Sequence, residues 1–267
     1  MSSCACGHHH HATTDASGDL VLLERPLLGL HGQLICRDMG QMMTALDLLP
    51  DHVAVSRAEP GCLRFDITQS EDPMIWELDE LFSDRQAFDA HRERTLASPW
   101  GEHSRDIGRD FHDHVVQPRI RPQIPADNDA IDRLLTRTFD GLGEARLVRD
   151  LRAAGDLAVS VVAHAQGTII GHAALSPLVA DGPALALAPV AVHPAVQGRG
   201  LGRALVAAAL QAAGNHAVVV LGDPSFYGKV GFQTAMLRSP WSGPNLQIHG
   251  NLPPGSVIRH ASAFDAP

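Results

Sequence analysis

The sequence predicts a mixed chain of two domains, an α+β unit followed by an α/β unit. Three observations predict it. Apolar periodicity over residues 27–116 runs strand, helix, strand, strand, helix, strand, which is the ferredoxin-like order. Residues 117–125, QPRIRPQIP, hold three prolines; proline fixes φ and removes ladder donors, so this stretch marks a boundary or a short edge strand. Residues 188–213, APVAVHPAVQGRGLGRALVAAALQAA, pass from a short apolar strand through a glycine-rich loop into an alanine-rich helix. The predicted organisation is a disordered tail over 1–20, a first domain over 21–116 and a second over 117–267.

Composition narrows the classes. The 267 residues are 45% hydrophobic and 19% charged, and each half is long enough to bury its own core. A net charge of −9 opposes nonspecific nucleic-acid binding. No run approaches the roughly 18 apolar residues of a membrane span, and the start lacks the basic-then-apolar pattern of a signal peptide. Neither nucleic acid nor membrane is therefore expected as a partner. The four cysteines form no dense framework, which fits a reducing cytoplasm. The tail, MSSCACGHHHHATTDASGDL, is too polar to bury anything. Its Cys4, Cys6 and His8 to His11 are donors of the kind zinc prefers, but they are spaced more tightly than in structural fingers. The other reading is an appended histidine tract, and no metal site is assigned.

In the first domain, Leu28, Leu30, Leu34 and Cys36 alternate with His31 and Gln33, which predicts a half-buried strand. Met39, Met42, Leu46, Leu49 and Val53 follow 3-4-3-4 spacing, a helix with one apolar stripe and a kink at Pro50. Pro60-Gly61 turns the chain into a strand through Leu63, Phe65 and Ile67. A third strand covers 74–82, with Trp76 and Leu78 on one face. Ser83 to Gln86 has capping-box spacing and opens a helix to about residue 97, with Ala87, Phe88 and His91 inward. Residues 107–116 supply the last strand. Helices on one face leave the other needing a cover. A large apolar second face predicts a homodimer through the sheets, or a ligand pocket there.

Pro60 to Asp66, Ile75 to Phe82 and Ala87 to His91 resemble the antibiotic biosynthesis monooxygenase superfamily, over about residues 26–115. The resemblance implies a small dimeric ferredoxin-like unit. Some members oxygenate quinols or polycyclic aromatics without a cofactor, and some degrade haem. The haem branch carries a tryptophan where Phe82 stands and an asparagine where His31 or Gln33 stands, and both departures count against haem. His91 matches the helix histidine of quinol-monooxygenase-like members. It reads either as a proton acceptor or substrate-orienting group, or as a core-edge histidine bonded to backbone. His112 and His114 share one face of the last strand, and either join His31 in a polar pocket or are solvated.

The second domain opens on a helix through Ile131, Leu134, Leu135 and Phe139. Gly141-Leu142-Gly143 breaks it, and a second helix carries Leu147, Val148 and Leu151 inward. Strands over 157–164 and 168–175 flank the tight turn Ala165-Gln166-Gly167. The strand over 184–192 feeds the glycine loop. The next helix buries Leu201, Leu205, Ala208 and Ala212, and an apolar strand follows over 217–221. A glycine loop opening on a helix N-terminus is a place to hold phosphate, because backbone N–H groups can approach the anion. The dinucleotide fingerprint and the P-loop both require residues that are absent here. The bland alternative is that Gly200 and Gly202 only permit close strand–helix packing.

Leu187 to Val206 resembles the acetyl-CoA motif of the GNAT superfamily of N-acetyltransferases, with Gln197, Gly200 and Gly202 at its signature positions. Val220 to Phe232 resembles the next motif of that family, a tyrosine followed by Gly-Phe. Glu144 to Val148, Gly171-His172 and His260 to Phe264 resemble one bacterial branch. The resemblance spans about 119–265. It implies a central mixed sheet and acetyl-CoA as cosubstrate, with direct attack by an amine of a small molecule or protein. Backbone groups of Val190, Ala191 and Val192 would bind the pantetheine arm. The N–H groups of Gly198, Arg199, Gly200, Leu201, Gly202 and Arg203 would hold the pyrophosphate, with Arg199 and Arg203 adding positive charge. Tyr227, the single tyrosine, matches the general acid; its other reading is a core tyrosine with a satisfied hydroxyl. For the base, Glu144 ranks ahead of Asp181, His172 and a water relay, and is otherwise a solvated helix-face charge. The competing functions are a cofactor-independent quinol or aromatic monooxygenase, and a first domain that serves only for dimerisation or ligand sensing.

Overall fold

A computed structural model describes residues 17–265; Cys4, Cys6 and His8 lie outside the described residues. The chain begins with β1 (Asp19–Leu20), then β2 (Leu27–Ile35), α1 (Met39–Ala58), β3 (Cys62–Gln69), β4 (Ile75–Phe82), α2 (Arg85–Leu96), α3 (Pro99–His103) and β5 (Gly108–Val116). Strands β2 to β5 form an antiparallel sheet in the order β3-β4-β2-β5. This is the ferredoxin-like arrangement with one added short helix. The helices cover the face that carries Leu30, Leu34, Trp76, Leu78 and Phe111.

The inward stripe of α1 differs from the expected one. Met42, Ala45, Leu49, His52 and Ser56 are buried, while Met39 and Leu46 are exposed. The period is as expected, but the helix is rotated toward a polar partner. Arg94 on α2 donates to Ser56 Oγ at 2.7 Å and contacts His52 Nδ1 at 3.3 Å, so these polar side chains can be buried with partners. The helix runs on through Pro50 without interruption. The cap of α2 is Asp84 rather than Ser83; its Oδ1 accepts from Ala87 N at 2.9 Å.

The second face of this sheet also differs. It is polar along most of its length: His31 stands opposite Asp79 and His112, and Gln33 opposite Glu77 and Asp110. Its apolar end, Leu27, Leu81 and Val116, packs into the core of the second sheet. The apolar end is therefore covered by the same chain, and among the described residues the rest of this face is not the large apolar surface that argued for a homodimer.

The remainder comprises β6 (Arg119–Pro122), α4 (Asn128–Phe139), α5 (Gly143–Ala154), β7 (Val159–Ala165), β8 (Thr168–Val179), β9 (Ala184–Val192), α6 (Leu201–Ala213), β10 (Ala217–Leu221), α7 (Pro224–Tyr227), β11 (Gln233–Thr234), β12 (Leu246–His249) and β13 (Arg259–His260). The sheet is mixed, in the order β1-β6-β7-β8-β9-β10-β12-β11, with β9 and β10 its parallel pair and β13 added to β8. Helix α6 packs on one face through Leu201, Leu205 and Val206. Helices α4 and α5 pack on the other through Ile131, Leu135 and Val148. Gln166 and Gly167, both at positive φ, close the β7–β8 hairpin.

Asp19 and Leu20, expected in the tail, form β1 against Ile120 and Arg119 of β6, and Leu23 is buried. An edge strand exposes unpaired backbone groups, and this segment covers them. One apolar cluster, with Leu27, Leu81 and Val116 in it, thus spans both sheets. Leu81→Ala, at a fully buried position in that core, should lower unfolding free energy by roughly 2–5 kcal/mol, as measured by urea denaturation.

Candidate active site

Strand β9 pairs with β8 as far as Val192, but with β10 only over Ala184, Leu185 and Ala186. The two parallel strands then part, which leaves the β10-facing backbone groups of residues 187–192 without a ladder. A cleft of about 540 Å³ opens there, walled by Val190, Val192, Phe226 and Tyr227 and floored by the glycine loop.

After β9 the chain makes a short 3-10 turn, Pro194–Val196. Gln197 Nε2 then donates to Val192 O at 3.0 Å, tying the loop to the strand end. Gly198 and Gly200 adopt φ of +74° and +91°, a region costly for other residues. Ala204 N, donating to Gly200 O at 3.1 Å, makes the first bond of α6. Among the described residues, the N–H groups of 198–203 have no backbone partner, and with the helix dipole behind them they suit an anion. A Cβ on Gly202 would lie 3.4 Å from Phe226 Cζ and 3.6 Å from Val192 Cγ2, within the cleft. Arg203 and Lys229 line the same cleft and are exposed.

Arg199 departs from expectation. Its side chain leaves the cleft and is only 6% exposed, paired with Asp84 of the first sheet's α2 at 2.8 Å. Its guanidinium also donates to Ser83 O. Its charge is thereby matched by a carboxylate and does not face the cleft; only its backbone N–H remains with the loop.

Tyr227 ends α7, a single turn capped by Asp223, whose Oδ1 accepts from Ser225 N at 2.8 Å. Its ring packs edge-on against Phe226 and Phe232. A Cβ at Gly222 would stand 2.3 Å from Tyr227 Cε2, so only glycine there leaves room for the ring. Burial raises the phenol to about 12, which keeps it protonated at neutral pH.

A second cavity, of about 550 Å³, lies between the first sheet and its helices. Leu30, Leu78, Phe88 and Trp100 give it an apolar interior. Glu80 is buried there with its Oε2 unpartnered among the described residues. Burial, with Glu59 and Asp79 nearby, raises its carboxyl to about 8. His91 is buried beside it, its Nδ1 2.9 Å from Glu59 Oε2 and its Nε2 3.4 Å from Thr95 Oγ1. Its partners are side chains, not the backbone. Burial lowers its pKa, against the opposing effect of Glu59. His52 stacks on Trp100 and is lowered to about 3 by burial and by Arg94.

Residues 156–234 match the family model for the acetyltransferase (GNAT) domain. The Escherichia coli K12 protein named uncharacterized N-acetyltransferase YhbS is 42% identical over 142 residues, covering 49% of this chain and 85% of that protein. The chain belongs to the GNAT family. The crystal structure of GNAT family YhbS from E. coli in complex with CoA is similar over 58% of this chain and 96% of that one, at 33% identity and a TM-score of 0.53. A Brucella melitensis GNAT acetyltransferase solved with acetyl-CoA is 31% identical over 55% of this chain and 98% of its own, with a TM-score of 0.49. Residues 38–102 match the antibiotic biosynthesis monooxygenase family model, so the GNAT unit is fused to a domain of that family.

The base candidates fall away from the GNAT cleft. Glu144 lies in the first turn of α5, outside the cleft lining. Asp181 precedes β9, at the end of that nine-residue strand opposite the loop, and is not in the cleft lining. His172 is fully buried, lowered to about 3 by desolvation, and hydrogen-bonded to Ser160 Oγ at 2.9 Å. Among the described residues, no carboxylate or imidazole lines the cleft. Thr138 and Phe139, at the end of α4, do line it and were missed. The helical period put Phe139 in the core, but it is 39% exposed. Phe226 and Lys229 flank Tyr227 within its motif, which was signal enough to find them. Glu80 was legible as well: period two puts it on the face of Trp76 and Leu78. Among the described residues, no cluster of His, Cys, Asp or Glu could hold a metal, and no helix is long and apolar enough to cross a membrane.

Two titrations check this electrostatic picture. The single tyrosine should ionise, by ultraviolet absorbance, with a midpoint near 12 when folded and near 10 when unfolded. Its stabilising contribution is whole below the unfolded value and is lost as pH rises toward the folded one. For Glu80, the folded carboxyl holds its proton more tightly than the unfolded one, whose value is 4.5. Its contribution is therefore whole below that value and disappears as pH rises through about 8. Glu80→Gln should flatten the fall in melting temperature over that window.

Proposed function

We propose that this chain transfers the acetyl group of acetyl-CoA to an amine of a small molecule or protein. The observation that carries the reading is the convergence, in one cleft, of the unpaired β9 edge, the loop of free N–H groups and the Tyr227 hydroxyl. The residues fit the cosubstrate. The backbone of Val190, Ala191 and Val192 would take the pantetheine arm as an added strand. The N–H groups of residues 198–203, with Arg203 and Lys229, would take the pyrophosphate. Gln197 holds the loop to the strand, and Gly202 keeps the cleft clear. Acetyl-CoA supplies the acetyl group as an activated thioester.

The chain's own task is to manage two protons. The protonated Tyr227 hydroxyl donates to the departing sulfur; a phenol shifted upward by burial is protonated and ready. The ammonium must lose its proton before attack. With no carboxylate in the cleft lining, we assign this step to a water relay rather than to Glu144. Isothermal calorimetry with acetyl-CoA, followed by a screen of amines and proteins with labelled acetyl-CoA, tests the reading. Absence of binding overturns it. Tyr227→Phe should lower kcat by about 10²–10⁴-fold while acetyl-CoA affinity is retained; wild-type turnover would remove Tyr227 from the role.

The first-domain cavity favours a second reading, a cofactor-independent monooxygenase acting on a quinol or aromatic ring. An apolar cavity with a buried acid and the neutral His91 suits a flat ring bearing hydroxyls, with His91 accepting a proton. Oxygen uptake with quinols would support it. Ligand binding without oxygen uptake would instead make the domain a sensor.

A further inference from the structure

Arg199 stands between the two positive-φ glycines of the acetyl-CoA loop. Glycine loses more freedom on ordering than any other residue, so this loop is costly to fix unless something holds it. Gln197 ties one end to Val192 O, and α6 fixes the other. The middle is held by the Arg199 side chain. Its Nη2 donates to Asp84 Oδ2 at 2.8 Å and to Ala195 O at 2.9 Å. Its Nη1 donates to Ser83 O, and to Arg25 O at 3.3 Å.

The anchor itself is rigid. Asp84 Oδ1 caps α2, Ser83 is 4% exposed, and Ser83 N donates to Gly61 O at 2.8 Å. The side chains of Arg199 and Asp84 are 6% and 16% exposed, so solvent screens the pair weakly. Arg25 Nη1, 4.0 Å from Asp84 Oδ2, adds a second cation.

We propose that Asp84 is a positioning residue for acetyl transfer: from the monooxygenase-family domain, it anchors Arg199 and so holds the loop in the geometry that binds the pyrophosphate. The GNAT site is thus completed by the domain fused to it. Pre-organising a loop improves affinity by removing its ordering cost from the binding step. This inference rests on the acetyl-CoA reading above.

The test is Asp84→Asn, because asparagine caps a helix about as well as aspartate but removes the carboxylate that faces the guanidinium. The expected result is a rise in Kd and KM for acetyl-CoA on the order of tenfold, with kcat at saturation little changed, the signature of lost uniform binding. Arg199→Gln should weaken binding equally, and the double variant no further. Asp84→Glu, which keeps the charge, should recover part of the affinity. Asp38→Asn, the same change at the exposed cap of α1, should leave KM unmoved. Wild-type affinity in both Asp84→Asn and Arg199→Gln overturns the proposal, as does an equal loss in Asp38→Asn. A wild-type chain that does not bind acetyl-CoA fails the underlying reading instead.

Discussion

Beyond Ala186 strand β9 has a neighbour on one side only, and a buried backbone group without a partner is costly. A sheet can leave such an edge open only where water or a ligand takes the place of the next strand. Here β10 turns away after three paired residues, and the glycine loop, α7 and the end of α4 close around the gap. The cleft is a consequence of that divergence. Tyr227 sits at the gap because β10 leads into α7, and the N–H groups face it because α6 starts from the loop that ends β9.

The fusion changes what the loop's charges do. Of the two arginines in the motif, Arg203 stays with the cleft and Arg199 turns to the other domain. A guanidinium held by a carboxylate and three carbonyls contributes rigidity more than field. The same interface satisfies the first sheet. Leu27, Leu81 and Val116 are covered by the second domain's core, and Arg64 donates to Gln166 O at 2.6 Å on the β7–β8 hairpin. A sheet that would otherwise need a second copy to hide its apolar end is closed within one chain.

The first domain's interior shows the opposite arrangement, polar groups taken inside. Arg94 is matched by Glu59, Ser56 and His52, so most of the cluster is satisfied. Glu80 Oε2 has no partner among the described residues, and burial keeps the carboxyl a neutral acid over much of the physiological range. A neutral carboxyl both donates and accepts, which gives the cavity's apolar wall a polar handle beside His91.

The elements and the main motif follow from short stretches of sequence. The ferredoxin-like order, the hairpin at Gln166-Gly167, and the strand, loop and helix around Gly198 and Gly200 are set by periodicity and turn chemistry, which act over a few residues. Tyr227 and the loop glycines were legible because their spacing is local. Tertiary structure alone decided which face of α1 turns inward, the pairing of Asp19 and Leu20 with β6, the covering of the first sheet, and the direction of Arg199. Each depends on a partner distant along the chain, Arg94 for His52 and Asp84 for Arg199. A side chain's charge can be read from the sequence; the group that will neutralise it is chosen only when the chain folds.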